Sequence, residues 1–377
     1  MGFYFNPGYD SFKRASGSRI YIDKTGLLEE LNLRIDSEEN CILLSHARRF
    51  GKSQAAGMIK AYYSCGCDSK ELFSRFEISK SDTFSLHLNE YNVIHLDISS
   101  FIDFHKEDLV DEIIKRLTLE FSEVYAGDIN LEQDINLILC RIAEFSDKEF
   151  IIIIVEWDSV IRNHADRPDL VHRYLQFLHS LFKSEESKRF LALGYITGIL
   201  PIKKIKDESA LNNFREYTMI HSGVFTRYFG FTENEVKALC KRFDMDFDSV
   251  KQWYDGYLIN DLHIYNPNSV YQAMVEHTLD SYWKNTSSFS TINDFINLNM
   301  EGLQEDILHM LSGGKTDVDT GNFQNDLSNI KSKDDVLTAL IHLGYLGYDA
   351  FEGVAYIPNF EVSKAFRSAL QESGWMI

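Results

Sequence analysis

Residues 41–53 read CILLSHARRFGKS. The apolar run Ile42-Leu43-Leu44 is a buried strand. A basic turn follows, His46-Ala47-Arg48-Arg49-Phe50, and Gly51-Lys52-Ser53 then opens a helical pattern over about 54–64. This is the tail of a phosphate-binding loop. Such a loop needs backbone N–H groups aimed at phosphate oxygens, a lysine for the β- and γ-phosphates, a hydroxyl for Mg²⁺, and a helix N-terminus facing the anion. Gly51, Lys52 and Ser53 supply these parts. The first glycine of the full G-x-x-x-x-G-K-[ST] pattern falls on His46, so the motif is incomplete. The competing reading is a solvated strand-to-helix turn carrying surface arginines and a lysine.

The flanking chain repeats the strand-then-helix arrangement. Val93 to Ile98 (VIHLDI) is a strand with Asp97 near its end. Phe150 to Val155 (FIIIIV) is a second, leading into Glu156-Trp157-Asp158, and Phe190 to Ile196 a third, leading into Thr197-Gly198. Tyr217 to His221 reads as a short fifth strand. Helical spacing of apolar residues marks 106–123, 131–146 and 168–183. Strands apolar on both faces and alternating with helices predict a parallel sheet covered on both sides. Ligands of such sheets bind beyond the carboxyl ends of the strands. The Gly51-Lys52-Ser53 turn, Asp97, Glu156 with Asp158, and Thr197 all fall at that edge. Before the first strand, residues 1–19 read as a packed aromatic arm. Asp23 reads as the N-cap of a helix over about 24–34.

Beyond residue 225 the pattern becomes mainly helical, so the expected domains are 1–225 and 226–377. Thr232 with Glu235 forms a capping box. Near the end, a helix over 334–342, a hairpin from 344–348 and 354–357, and a helix over 361–372 outline a winged-helix-like unit. The aromatic clusters 253–257 and Tyr282-Trp283 read as a core between domains, ahead of direct adenine stacking. Lys203, Lys204 and Lys206 read as a solvated basic run ahead of a phosphate contact.

The bulk numbers narrow the function classes. The 377 residues are 44% hydrophobic and 25% charged, an ordinary globular composition. No apolar run approaches the roughly 20 residues of a membrane span, and residues 1–14 lack the order of a signal peptide. Five scattered cysteines point to a reducing compartment and a cytoplasmic location. Cys65-Gly66-Cys67 stands without a second pair, which argues against zinc. A formal net charge of −19 argues against broad binding to nucleic acid, leaving DNA as the less favoured partner.

Each residue at the proposed edge has a chemical reading. Lys52 is a point charge on the β- and γ-phosphates. Ser53 is a magnesium ligand through its hydroxyl. Arg48, Arg49, Phe50, Gly51 and Asp23 complete the candidate cofactor contacts. Hydrolysis needs a strand ending in Asp-Glu, the first carboxylate for the metal shell and the second to orient water. Here the strand ends Val155-Glu156, and valine accepts no hydrogen bond from a metal-bound water. Asp97 on a neighbouring strand could supply the carboxylate, or Glu156 could take the metal and Asp158 the base role. Slow or absent turnover ranks ahead of both rescues. Thr197 is placed to touch the γ-phosphate or the water.

Several separated motifs agree with one family. The stretches at 21–25, 48–53, 156–158, 197–200, 229–236, 253–257, 265–267, 282–287 and 357–362 follow one another as in the bacterial AAA-ATPase-like family, which this chain resembles. These are P-loop ATPases often followed by a PD-(D/E)xK nuclease-like domain, and that part is expected to be absent here. The resemblance implies an α/β P-loop NTPase fold of the ASCE type, with ATP and Mg²⁺ as cofactors. It places the loop strand between the last strand and the Thr197 strand, with Glu156 next beyond and Asp97 near it. The chain departs from the family at three points. His46-Ala47 replaces Arg-Pro, Val155-Glu156 replaces Asp-Glu, and Leu200-Pro201 replaces Leu-Arg. The departures bear on hydrolysis more than on binding. The expected function is ATP binding with slow Mg²⁺-dependent hydrolysis driving a switch between the core and the C-terminal domain. The alternative is a pseudo-ATPase scaffold for a protein or DNA partner, a homo-oligomer included.

Overall fold

A computed structural model describes residues 2–102, 109–125, 127, 130, 134–202, 211–282, 288–323 and 330–372. The basic run at 203–206 and Trp283 lie outside the described residues. Five strands form one sheet: β1 (Cys41–Ser45), β2 (Asn92–Asp97), β3 (Phe150–Val155), β4 (Leu191–Gly198) and β5 (Arg215–Tyr217). Their order is β2-β3-β4-β1-β5, and the β2–β3 and β3–β4 pairs run parallel. This is the arrangement that the family resemblance implies. β3 is buried along its whole length, as its unbroken β-branched run requires.

Amphipathic helices cover the sheet. Helix Leu109–Tyr125 buries Leu109, Ile113, Leu117, Phe121 and Tyr125, every fourth residue along one face. Helix Pro168–Lys183 starts with proline at its first turn, where no N–H partner is missed, and buries Tyr174, Leu178, Leu181 and Phe182. Each such aliphatic or aromatic side chain contributes about 1.5–3 kcal/mol on leaving water. Helix Lys52–Tyr63 buries Ala55, Ala56 and Gly57 near its start, and these small residues let its backbone lie close to β2 and β3.

The N-terminal arm is packed. The Glu120 carboxylate accepts the successive N–H groups of Phe3 (2.9 Å), Tyr4 (3.0 Å) and Phe5 (2.7 Å). Phe5 then bridges Ile94 of β2 in antiparallel fashion. A Cβ at Gly2 would lie 2.5 Å from the Phe5 carbonyl oxygen, so a larger residue there would displace the arm's backbone.

Two expectations need correction. Asp23 does not cap a helix: the helix runs Gly26–Asn32 and Thr25 is its N-cap. The Asp23 carboxylate instead accepts from Thr25 N and Oγ1 (2.9 and 2.7 Å) and from Glu77 N (2.8 Å), tying two distant segments together. The fifth strand lies at 215–217 and does not extend to 221. Thr218 Oγ1 accepts from the N–H groups of Ile220 and His221, and this local turn ends the strand.

By compactness the chain divides into Met1–Leu44 with Lys52–Glu216, and Ser45–Gly51 with Tyr217–Ile377. The second unit is helical with two three-stranded antiparallel sheets. One contains β6 (Phe231–Thr232), β7 (Tyr257–Ile259) and β8 (Leu262–Tyr265); the other β9 (Thr316–Asp317), β10 (Gly347–Asp349) and β11 (Val354–Tyr356). The Thr232–Glu235 capping box is present as read. The hairpin of β10 and β11 lies between helices Lys333–Leu343 and Phe360–Glu372. The aromatic cluster packs inside this unit, and its Tyr257 also meets Phe50, which belongs to the first of the two domains expected from the sequence. Trp253 meets Phe360 edge-on, Tyr254 packs beside Tyr282, and the Tyr257 hydroxyl donates to Gly344 O at 2.6 Å. Among the described residues no helix is long and apolar enough to cross a membrane.

Candidate functional site

The site begins at the exit of β1. Gly51 has φ +94°, a left-handed conformation that favours glycine, and open space surrounds the position of its missing Cβ. Lys52 is the first residue of the following helix and is buried, whereas Ser53 is exposed. Arg49 is exposed and left-handed at φ +70°; Arg48 is half-buried. The loop also has an anchor that sequence reasoning missed. His46 is buried, its Nε2 lies 3.1 Å from Ser222 Oγ, and its ring stacks on Phe229 at 4.5 Å. Phe50 is buried edge-on against Tyr257, and its carbonyl accepts from Gly230 N at 3.0 Å. A position that is glycine in the full motif therefore serves here as a packed anchor of the second unit.

Three neighbouring strands align their exits. Asp97 pairs in register with Val155, and Val155 with Thr197. In a parallel sheet such a row points to one face, so Val155 lies between a carboxylate and a hydroxyl. Val155 is buried and apolar. Asp97 is half-exposed, and its Oδ1 accepts from Ser99 N (3.1 Å) and Ser99 Oγ (2.6 Å). The buried Thr197 hydroxyl donates to Leu44 O at 2.7 Å and locks β4 to β1 at their ends.

Beyond β3 the acidic residues separate by environment. Glu156 adopts φ +53°, and its carbonyl accepts from Ser159 N and Oγ (3.0 and 2.6 Å). Its carboxylate meets Arg162 Nη2 at 2.8 Å. Asp158 is fully buried. Its Oδ2 accepts from Arg162 Nε (2.8 Å), Ile199 N (3.2 Å) and Leu200 N (3.0 Å). Among the described residues its Oδ1 has no hydrogen-bond partner. A Cβ on Gly198 would fall 2.5 Å from that oxygen, so β4 must end in glycine. Trp157 is buried between them, and its carbonyl accepts from Tyr174 Oη at 3.0 Å. Burial, and then the Asp158 charge, push the Tyr174 phenol well above its ordinary range, so it stays a neutral donor. The structure thus brings Asp97, Glu156, Asp158 and Thr197 to adjoining strand exits. Asp23 lies in the separate link to Thr25 and Glu77. Arg162 was missed, although its i, i+4 spacing from Asp158 is a readable signal.

A family model described as "Predicted AAA-ATPase" matches residues 7–206, a span that contains the loop and every strand exit just described. The chain belongs to the AAA-ATPase-like family. This AAA-ATPase-like protein is also 22% identical over 288 residues to an "Uncharacterized protein in vnfD 5'region" of Azotobacter chroococcum mcd 1, covering 75% of this chain and 54% of the relative. The chain thus spans about half the length of that curated relative. Among solved structures, the Aeropyrum pernix ORC2 protein in ADPNP–ADP complexes aligns with 99% of this chain and all of its own, at 9% identity and a TM-score of 0.37. Cdc6p from Pyrobaculum aerophilum covers 97% of this chain and 99% of its own, at 10% identity and a TM-score of 0.30. Neither likeness bears on what this AAA-ATPase-like protein binds.

Proposed function

We propose that this protein binds ATP at Gly51-Lys52-Ser53 and hydrolyses it slowly with Mg²⁺. The observation that carries the reading is the position of Lys52. It opens the helix that follows the strand lying between β4 and β5 in a parallel sheet, and the neighbouring exits carry Thr197, Glu156 and Asp97. The open left-handed turn at Gly51 fits an approaching phosphate, and the helix N-terminus supplies N–H groups and positive potential. In this reading Lys52 holds the β- and γ-phosphates, Ser53 offers its hydroxyl to the metal, and Arg48 and Arg49 assist from the loop. Glu156 orients the attacking water. Thr197 and Asp158 act by position, since the Thr197 hydroxyl is committed to Leu44 and Asp158 is sealed from water.

The donors fit magnesium sparsely. The Ser53 hydroxyl and the half-exposed Asp97 carboxylate are suitable, and Val155 replaces the donor expected between Asp97 and Thr197. Magnesium, when bound, neutralises charge developing on the phosphate oxygens. The sparse donor set supports slow turnover, and it also sustains the second reading, a nucleotide-binding scaffold without hydrolysis. In this reading hydrolysis drives a conformational switch. All five cysteines are free, which supports a cytoplasmic location.

Calorimetry with ATP tests the reading. Wild type is expected to bind and Lys52→Ala to lose measurable binding; unchanged affinity in the variant rejects the site.

A further inference from the structure

The carboxylate proposed to orient water already holds a cation. Arg162 Nη2 lies 2.8 Å from Glu156 Oε2, and Arg162 Nε lies 2.8 Å from Asp158 Oδ2. The guanidinium is not a loose surface group. Its side chain is 12% exposed, and Asp158 is in turn pinned by the N–H groups of Ile199 and Leu200, directly after the Thr197-Gly198 end of β4. The backbone of Glu156 is equally fixed, in a left-handed conformation held by Ser159. The Glu156 side chain can therefore change partners without breaking main-chain bonds, and Asp158 cannot. Ion pairs as sheltered as this are screened little by salt.

We propose that Arg162 is a positioning residue that latches Glu156, so that turnover is limited by release of this ion pair. The inference rests on ATP hydrolysis at Gly51-Lys52-Ser53. While the latch is closed, Oε2 accepts from Arg162 Nη2 and is not offered to a water. Arginine suits the role because its planar fork serves two carboxylates at once, which a lysine ammonium on a flexible stem does not reproduce. Opening the latch leaves Arg162 on Asp158, so the buried carboxylate keeps its counter-charge while Glu156 becomes free.

The test is Arg162→Lys in the full chain, with phosphate release measured under saturating ATP and Mg²⁺, ATP affinity by calorimetry, and thermal melting to verify folding. The expected result is a kcat raised about tenfold with KM unchanged, and loss of that gain in the double variant Glu156→Gln/Arg162→Lys. Arg162→Gln, which keeps a neutral donor for Asp158, gives the same test if the lysine variant does not fold. A folded variant with kcat equal to or below wild type overturns the latch, and so does a gain that survives Glu156→Gln. Failure of the wild type to bind ATP rejects the nucleotide site itself and is read separately, in the calorimeter.

Discussion

The exit of β3 and the surface around Glu233 use the same residue types to different ends. At the exit, Asp158 is fully buried and shares the 12%-exposed Arg162 with Glu156. On the second unit, Glu233 accepts from Lys237 and Lys251, whose side chains are 49% and 40% exposed. Ligand atoms of Glu233, Asp255 and His263 come within 4.8 Å of one another, a spacing that suits a cation. The Lys251 ammonium, 2.6 Å from Glu233, already provides one. Water decides the difference. A solvated pair is worth about 0–1 kcal/mol, whereas removing one member of a buried pair strands a charge.

Asp158→Ala should therefore produce the largest effect, a loss of about 3–5 kcal/mol in denaturant-induced unfolding. A loss below about 1 kcal/mol would place Asp158 in the same class as Glu233.

His95 extends the contrast to a half-buried base. Burial, and then the nearby Lys60 ammonium, push its imidazole down to about 3. It stays neutral in the fold while the unfolded chain takes up a proton below its ordinary value of 6.5. Stability should thus fall as pH drops from about 6.5 toward 3, by up to about 1.4 kcal/mol per pH unit for this one proton. His95→Gln should flatten that slope in melts run across this window. An unaltered slope assigns the acid sensitivity elsewhere.

Much of this was legible beforehand, and the failures have physical causes. β3 could be read because FIIIIV suits only a strand buried on both faces, and the capping box because its two bonds span three residues. Asp23 was misread because one of its partners, Glu77, lies 54 residues away and local spacing cannot reveal it. β5 was misplaced because Thr218 can bond its own neighbours and leave the sheet. The strand exits were found from alternation alone. Their division into sealed Asp158 and accessible Glu156 depends on burial, which periodicity does not encode.

Val155→Asp sharpens the comparison from the other side by adding a carboxylate at the register of Asp97 and Thr197. Phosphate release should rise about tenfold, equivalent to about 1.4 kcal/mol, and should saturate at lower Mg²⁺. No change in a folded variant would mean that a carboxylate at this position is not what limits turnover.

Glu233→Gln should have the smallest effect. Hydrogen bonds from Lys237 and then Lys251 pull the Glu233 carboxyl down to about 2. Its contribution is present above the ordinary carboxylate range and is lost as pH falls toward 2. The solvated side chains hold it below about 1 kcal/mol, and high salt should shrink the difference between the two melting curves. A larger, salt-insensitive loss would mean that this surface cluster behaves as a buried one.

The arm clamped by Glu120 guards against unwanted self-association. β2 is the outer strand of its sheet, and an outer strand offers a row of main-chain groups to any passing chain. Tyr4 O accepts from His95 N at 2.9 Å, and Asn6 N donates to Val93 O at 2.8 Å, so that row is occupied before a second molecule can reach it. The three N–H groups held by one carboxylate thus keep this edge of the sheet from serving as a template for growth.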